Sequence, residues 1–178
     1  MNIRFFIPSA RMILAPCLAL AFGTSIAASR VELQGGRSYM DRASATTVFV
    51  EGTLSEHVIG SSRFSWTRDF SLGWIDGRNM PRYRLAKYAT TDAIWLVAAG
   101  ARLRYGNESD WYHSLFLSFQ PAIHTGKTQA LSSTYEFVST LGWQARVFSV
   151  QIRHISNGSM HQPNRGETMA LLGVRLPL

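Results

Sequence analysis

The stretch FSVQIRHISNG, residues 148–158, alternates apolar and polar side chains and therefore predicts a β-strand. Its apolar row begins with Phe148, Val150 and Ile152, and the row between them consists of a serine, a glutamine and an arginine. Because successive side chains in a strand point to opposite faces, His154 and Ser156 continue the apolar row. A potential base and a potential nucleophile are therefore expected side by side on the apolar face of one strand.

The rest of the chain divides into segments of similar length, which gives about eight in all. They lie near 31–38, 44–54, 62–76, 91–105, 113–124, 133–142, 145–156 and 167–178. In the fifth segment, Leu115, Leu117 and Phe119 share one face, and serines and a glutamine share the other. No segment has a helical period of comparable strength, so the chain is predicted to be all-β.

The connections between these segments differ in length in a regular way. Compact turns are predicted at 106–110 and 142–144, and longer connections at 76–91, 124–132 and 157–166. Short and long connections thus alternate from the third segment onward, as periplasmic turns and outer loops do in outer-membrane barrels. We therefore predict an eight-stranded antiparallel up-and-down transmembrane β-barrel, with His154 and Ser156 facing lipid near the outer leaflet.

The alternative fold is a periplasmic or secreted β-sandwich, which would bury the apolar rows that a barrel exposes to lipid. The chain beyond residue 28 has no apolar run long enough for a spanning helix. A closed barrel is the other structure that satisfies every backbone polar group within a bilayer.

Residues 1–27 have the pattern of a signal peptide, and residues 28–178 are expected to form the barrel as one domain. Arg4 and Arg11 precede an apolar run over 12–22, and small residues follow at 24–28. Removal of this segment leaves 16 basic and 11 acidic residues and lowers the net charge from +7 to +5. For an exported chain, this charge favours a membrane surface or lipopolysaccharide phosphates over nucleic acid as the partner.

The residues around Ser156 suggest an esterase site. A serine becomes a good nucleophile when a base such as His154 takes its proton, and an acid commonly orients that histidine. Glu167 is the candidate acid, since no other Asp or Glu follows Glu136. Asn157 and Gly158 are candidates for binding the oxyanion, through the Asn amide and the backbone N–H groups.

The last 25 or so residues resemble the lipid A 3-O-deacylase family of PagL type. The likeness rests on HISNG at 154–158, QPN at 162–164, Gly166 with Glu167, and the closing LPL at 176–178. It implies an outer-membrane barrel with a lipid-facing Ser-His-Glu triad that hydrolyses the 3-O-linked acyl chain of lipid A. Ser156 would be the nucleophile, His154 the base and Glu167 the orienting acid, and the reaction would need neither a cofactor nor a metal.

One departure from the family pattern concerns Glu167. The glutamate stands one residue earlier, relative to the glycine and the C-terminus, than the family pattern has it. By strand parity, Thr168, Ala170 and Leu172 belong to the lipid-facing row and Glu167 to the inner row. The carboxylate could still reach the outer face through a β-bulge near Gly166, or if the strand begins only after Glu167.

Basic loop residues are the candidates for contact with lipid A phosphates, and ordinary solvated loops are the equal alternative. They are Arg78, Arg82, Arg84 and Lys87 in one outer loop, and His161 and Arg165 in the loop after Ser156.

Three other functions remain open on the sequence alone: a non-enzymatic structural or adhesive barrel, another lipid enzyme such as an outer-membrane phospholipase or a lipid A acyltransferase, and a soluble periplasmic binding domain. The expected partners are lipid A and outer-membrane lipids. A homodimer is left open.

Overall fold

A computed structural model describes residues 30–177, so the predicted signal peptide lies outside the described residues. The strands are β1 Arg30–Met40, β2 Ala43–Thr53, β3 His57–Val58, β4 Phe64–Ile75, β5 Ile94–Tyr105, β6 Leu115–His124, β7 Tyr135–Gln144, β8 Phe148–Ser156 and β9 Glu167–Leu176. Short 3₁₀ helices cover Pro81–Tyr83 and Trp111–Ser114. None of the helices in this part of the chain is long and apolar enough to cross a membrane.

The eight long strands form one closed antiparallel barrel. Strands that follow one another in the chain are paired, β9 returns to pair with β1, and β2 pairs with β4 to complete the ring. The two-residue strand β3 pairs with the start of β4, beside the stretch of β4 that pairs with β2. The prediction of an eight-stranded up-and-down barrel is therefore confirmed.

The wall of the barrel is apolar outside and polar inside. Leu117, Ile152 and Leu172 point outward and are about three-fifths exposed, at 61%, 59% and 62%. The polar residues between the outward rows are buried, and Asp69 and Arg153 are both 0% exposed. A sandwich would bury the apolar rows instead, so the observed orientation contradicts that alternative and fits a wall that faces lipid.

Buried arginine and carboxylate side chains form hydrogen-bonded ion pairs in the barrel interior. The carboxylate of Glu51 accepts hydrogen bonds from both Arg102 and Arg153. Arg102 also lies 3.5 Å from Asp69, whose carboxylate accepts hydrogen bonds from Ser118 and another polar side chain of β6. Buried charges are tolerated when they are paired in this way, so the inner rows of several strands depend on one another.

The end of the barrel that carries the long loops, called here the outer end, is closed by an apolar cluster. Met40, Ile75 and Ile94 from the strands pack in this cluster with Met80 and Leu131 from two loops. The loop after β8 joins this closure, because the N–H of Gly166 donates to the C=O of Ala130 at 3.0 Å. The loops therefore hold the ends of β8 and β9 in place.

The turn predicted at 142–144 is wrong, since these residues belong to β7 and the turn lies at 145–147. The N–H of Ala145 donates to the C=O of Phe148 at 2.8 Å and closes it. Gly142 faces into the barrel, where a Cβ atom would overlap the ring of Phe116. This glycine makes room for an aromatic ring and does not form a turn.

Candidate active site

His154 and Ser156 lie at the outer end of β8, on the face directed away from the barrel interior. His154 is exposed and Ser156 is half-buried. Strand β9 places Thr168 opposite His154, and strand β7 places Ser139 opposite it on the other side. The candidate site is therefore a polar patch on the outer wall, bordered toward the middle of the barrel by apolar side chains such as Ile152.

The imidazole of His154 is held by strand β9. Its Nδ1 atom lies 2.9 Å from Oγ1 of Thr168, and Thr168 is exposed on the same outer row. The ring also lies against Gly166, where a Cβ atom would come within 2.9 Å of Cε1 and 3.3 Å of Nε2. Within residues 30–177, His154 and Ser156 are not joined by a hydrogen bond. The contact with Thr168 leaves Nε2 as the nitrogen available to a substrate or to Ser156.

Glu167 does not lie beside His154, which corrects the expectation of a Ser-His-Glu triad. Glu167 points into the barrel and is 4% exposed. Its two carboxylate oxygens accept hydrogen bonds from Arg78 at 2.8 and 2.9 Å, and Ser38 donates a further one. The ladder between β8 and β9 is regular as far as Glu167, with Ile155 opposite it, so the strand parity is kept and a bulge does not turn the carboxylate outward.

Asn157 also points inward, which corrects its expected role as an oxyanion donor. It is fully buried, and its Nδ2 donates to the C=O of His161 at 3.0 Å. Its backbone N–H donates to Oδ1 of Asn164 at 3.3 Å. Gly158 is exposed and left-handed, with φ of +64°, and its N–H has no acceptor among the described residues. Of the two predicted oxyanion residues, Gly158 alone presents a free donor on the surface.

The six basic residues predicted to contact phosphates fall into different environments. Arg78 is inside the barrel with Glu167, so its expected contact with a headgroup is corrected. Arg84 and Lys87 are exposed in the loop between β4 and β5.

Arg82, Arg165 and His161 lie in the long loops at the outer end of the barrel. Arg82 and Arg165 lie 3.2 and 3.5 Å from the carboxylate of Asp41. This carboxylate also accepts a hydrogen bond from Tyr83, which raises the pKa of the tyrosine. His161 is half-buried, and its Nε2 atom has no hydrogen-bond partner in the described part of the chain.

Two outward residues were missed by the sequence analysis, although strand parity would have found both. Thr168 was assigned to the outer row but was given no role. Arg37 belongs to the outer row of β1 and is exposed. Its guanidinium donates to Thr46 at 3.0 Å and to Ser44 at 2.6 Å, both on β2. A cation on a lipid-facing row is unusual, which makes Arg37 a candidate for a functional role.

The family model for lipid A 3-O-deacylase (PagL) matches residues 57–177. The chain belongs to the PagL family. The match extends from β3 to β9, well upstream of the C-terminal motifs on which the resemblance rested, and includes His154, Ser156 and Thr168.

Solved structures of outer-membrane proteins are similar to this chain. The crystal structure of the outer membrane enzyme PagL superimposes with a TM-score of 0.59 and 17% sequence identity, covering 84% of this chain and 100% of that chain. At this identity, the superposition shows a shared fold. The Yersinia pestis outer membrane protein Ail, in a phospholipid bilayer nanodisc, gives a TM-score of 0.44 and 9% identity, over 83% of this chain and 99% of its own. No curated protein matches this PagL-family chain.

Proposed function

We propose that this chain is an outer-membrane esterase that hydrolyses the 3-O-linked acyl chain of lipid A. Membership of the lipid A 3-O-deacylase family supports the reaction class and the substrate. The observation that carries the proposal is the outward position of His154 and Ser156 on one face of β8. A lipid in the outer leaflet reaches this face sideways, without entering the barrel.

The first half of the reaction is acyl transfer to Ser156. Its Oγ attacks the ester carbonyl while Nε2 of His154 takes the hydroxyl proton. When the tetrahedral intermediate collapses, the ester C–O bond breaks and His154 returns the proton to the departing sugar oxygen. The sugar leaves with a free 3-hydroxyl group, and the acyl chain remains as an ester on Ser156.

Water completes the reaction. It attacks the acyl carbon, gives one proton to Nε2 of His154, and leaves its hydroxyl group on the fatty acid. The Ser156 oxygen then departs with the proton held by His154, which restores the site. The free N–H of Gly158, two residues after Ser156, is the donor proposed for the oxyanion in both halves.

Cations near the outer end are proposed to hold the phosphates of lipid A. Arg37 lies on the outer wall, one strand beyond β9, and reaches toward the outer end of β2 through its bonds to Ser44 and Thr46. This posture keeps the charge near the interface while the stem of the side chain lies along the apolar wall. Arg84 and Lys87 are exposed in a loop at the same end of the barrel.

The test is a comparison of substrates with the purified barrel in detergent micelles. The protein and its Ser156→Ala variant are incubated with lipopolysaccharide and, separately, with phosphatidylethanolamine, and the products are identified by mass spectrometry. We expect the wild type alone to release the acyl chain at position 3 of lipid A. Fatty acid released from the phospholipid instead would favour a phospholipase, and no release from either lipid would favour a non-enzymatic barrel.

A further inference from the structure

We infer that Thr168 is the residue that positions His154, by accepting a hydrogen bond from the Nδ1–H group of its imidazole. The inference rests on the proposed function and concerns how its base is held. It gives this chain a serine–histidine pair oriented by a neutral hydroxyl group, where the family resemblance implied a carboxylate.

The geometry around His154 points to Thr168. The two residues are paired across the β8–β9 ladder, and Nδ1 and Oγ1 lie 2.9 Å apart. Threonine has a branched Cβ and therefore a stiff side chain, which makes its hydroxyl a well-defined partner. Ser139 flanks His154 on the opposite strand but has no hydrogen bond with it. The contact with Thr168 is thus specific to one of the two flanking hydroxyl groups.

The nearest acid in the chain is engaged elsewhere. Glu167 precedes Thr168 but lies inside the barrel, with both carboxylate oxygens bound by Arg78. Among residues 30–177, none of the ion pairs includes His154. A carboxylate that already satisfies a buried arginine on the other side of the wall is not free to orient an outward imidazole.

The hydrogen bond decides which nitrogen of His154 acts as the base. When Oγ1 of Thr168 accepts from Nδ1–H, the neutral ring carries its proton on Nδ1 and leaves Nε2 unprotonated. Nε2 is then the nitrogen that takes the proton of Ser156. A hydroxyl group fixes this tautomer but carries no charge, so it orients the ring without the electrostatic support that a carboxylate gives to a protonated imidazole.

The direct test is nitrogen-15 NMR of the intact barrel in detergent micelles, with labelled histidine, at about pH 9, where imidazole is neutral. A His154→Asn variant identifies the signals of His154. We expect the wild type to carry the proton on Nδ1 and Thr168→Val to shift part of the population to Nε2. Thr168→Ser should retain the Nδ1 form, and Ser139→Ala is the matched control for loss of a flanking hydroxyl.

Deacylation rates provide the second readout. Thr168→Val should lower kcat severalfold, because the fraction of the enzyme that holds the wrong tautomer cannot take the proton of Ser156 at Nε2. KM should change little, since the hydroxyl is turned toward His154, and Thr168→Ser should restore most of the rate. Thr168→Glu should raise kcat above that of the wild type, because it adds a charge at the position that contacts Nδ1.

Either of two NMR results would overturn the inference: an unchanged tautomer in Thr168→Val, or a shifted tautomer in a folded Glu167→Gln variant. Because Glu167→Gln leaves Arg78 unpaired, the double variant Arg78→Gln/Glu167→Gln is measured beside it, and a heat-dependent shift in gel mobility confirms folding. The tautomer is measured without substrate. Failure of the proposed function, with no deacylation by any variant, is therefore distinguishable from failure of this inference.

Discussion

Thr168 and Glu167 are neighbours in the chain, but their side chains lie on opposite sides of the barrel wall. Thr168 contacts the outward imidazole of His154 at 2.9 Å, whereas Glu167 is buried in the interior with Arg78. The alternation of side chains along β9 separates the two contacts. One of these residues supports the candidate chemistry, and the other supports the fold.

We predict that Glu167→Gln destabilises the barrel. The change leaves Arg78 buried and uncompensated, and breaking a buried ion pair in this way costs about 3–5 kcal/mol. Urea titration in detergent micelles, followed by tryptophan fluorescence, measures the free energy of unfolding. The double variant Arg78→Gln/Glu167→Gln should recover much of the loss. An unchanged unfolding free energy in the single variant would contradict the assigned role of Glu167.

Gly166→Ala should lower the deacylation rate much more than Gly60→Ala does. The new methyl group would meet Cε1 of His154 at 2.9 Å and displace the ring from Thr168. Gly60→Ala is a matched control, because Gly60 is also left-handed but has open space where the Cβ atom would lie. Each variant should lose about 1–2 kcal/mol of stability from its backbone conformation, and Gly166→Ala should lose somewhat more, because its Cβ atom would also lie 3.1 Å from the C=O oxygen of Ile155. Equal rates for the two variants would show that the contact with His154 is unimportant.

Arg37→Gln should raise KM for lipopolysaccharide severalfold and leave kcat nearly unchanged. The guanidinium is proposed to bind a phosphate group that is present in both the ground state and the transition state, and such uniform binding affects KM. Arg68→Gln is the control, since Arg68 is also exposed on an outer row but stacks near Trp66 toward the other end of the barrel. A normal KM in Arg37→Gln would remove Arg37 from the binding site.

The alternation of side chains along each strand predicted most of the fold and of the candidate site. The barrel wall has lipid on one side and a charged interior on the other. Side chains of each strand therefore alternate between an apolar outward row and a polar inward row, and every second residue belongs to the same row. The same rule placed His154 and Ser156 outside and Glu167 inside. It would also have identified Arg37, whose row in β1 otherwise faces lipid.

Positions outside the strands could not be predicted, because a loop has no period that reports its path. Arg78 looked like one of several surface cations, but the loop after β4 folds back and places it against Glu167. Asn157 lies one residue beyond β8 and continues its inward row, but the loop that brings the C=O of His161 to its side chain has no such pattern. Gly142 lies within β7 and was still not predictable as a strand residue, because its packing partner, Phe116, is distant in the sequence.

The central claim, that Ser156 on the outer wall is the nucleophile of a lipid A deacylase, is tested most directly by mass spectrometry of lipid A from cells. The cells express the wild type, Ser156→Ala or Ser139→Ala, each shown to be folded by its heat-dependent gel mobility. We expect the wild type and Ser139→Ala to yield lipid A that lacks the 3-O-linked acyl chain, and Ser156→Ala to yield intact lipid A. Loss of that chain in cells expressing Ser156→Ala would contradict the claim.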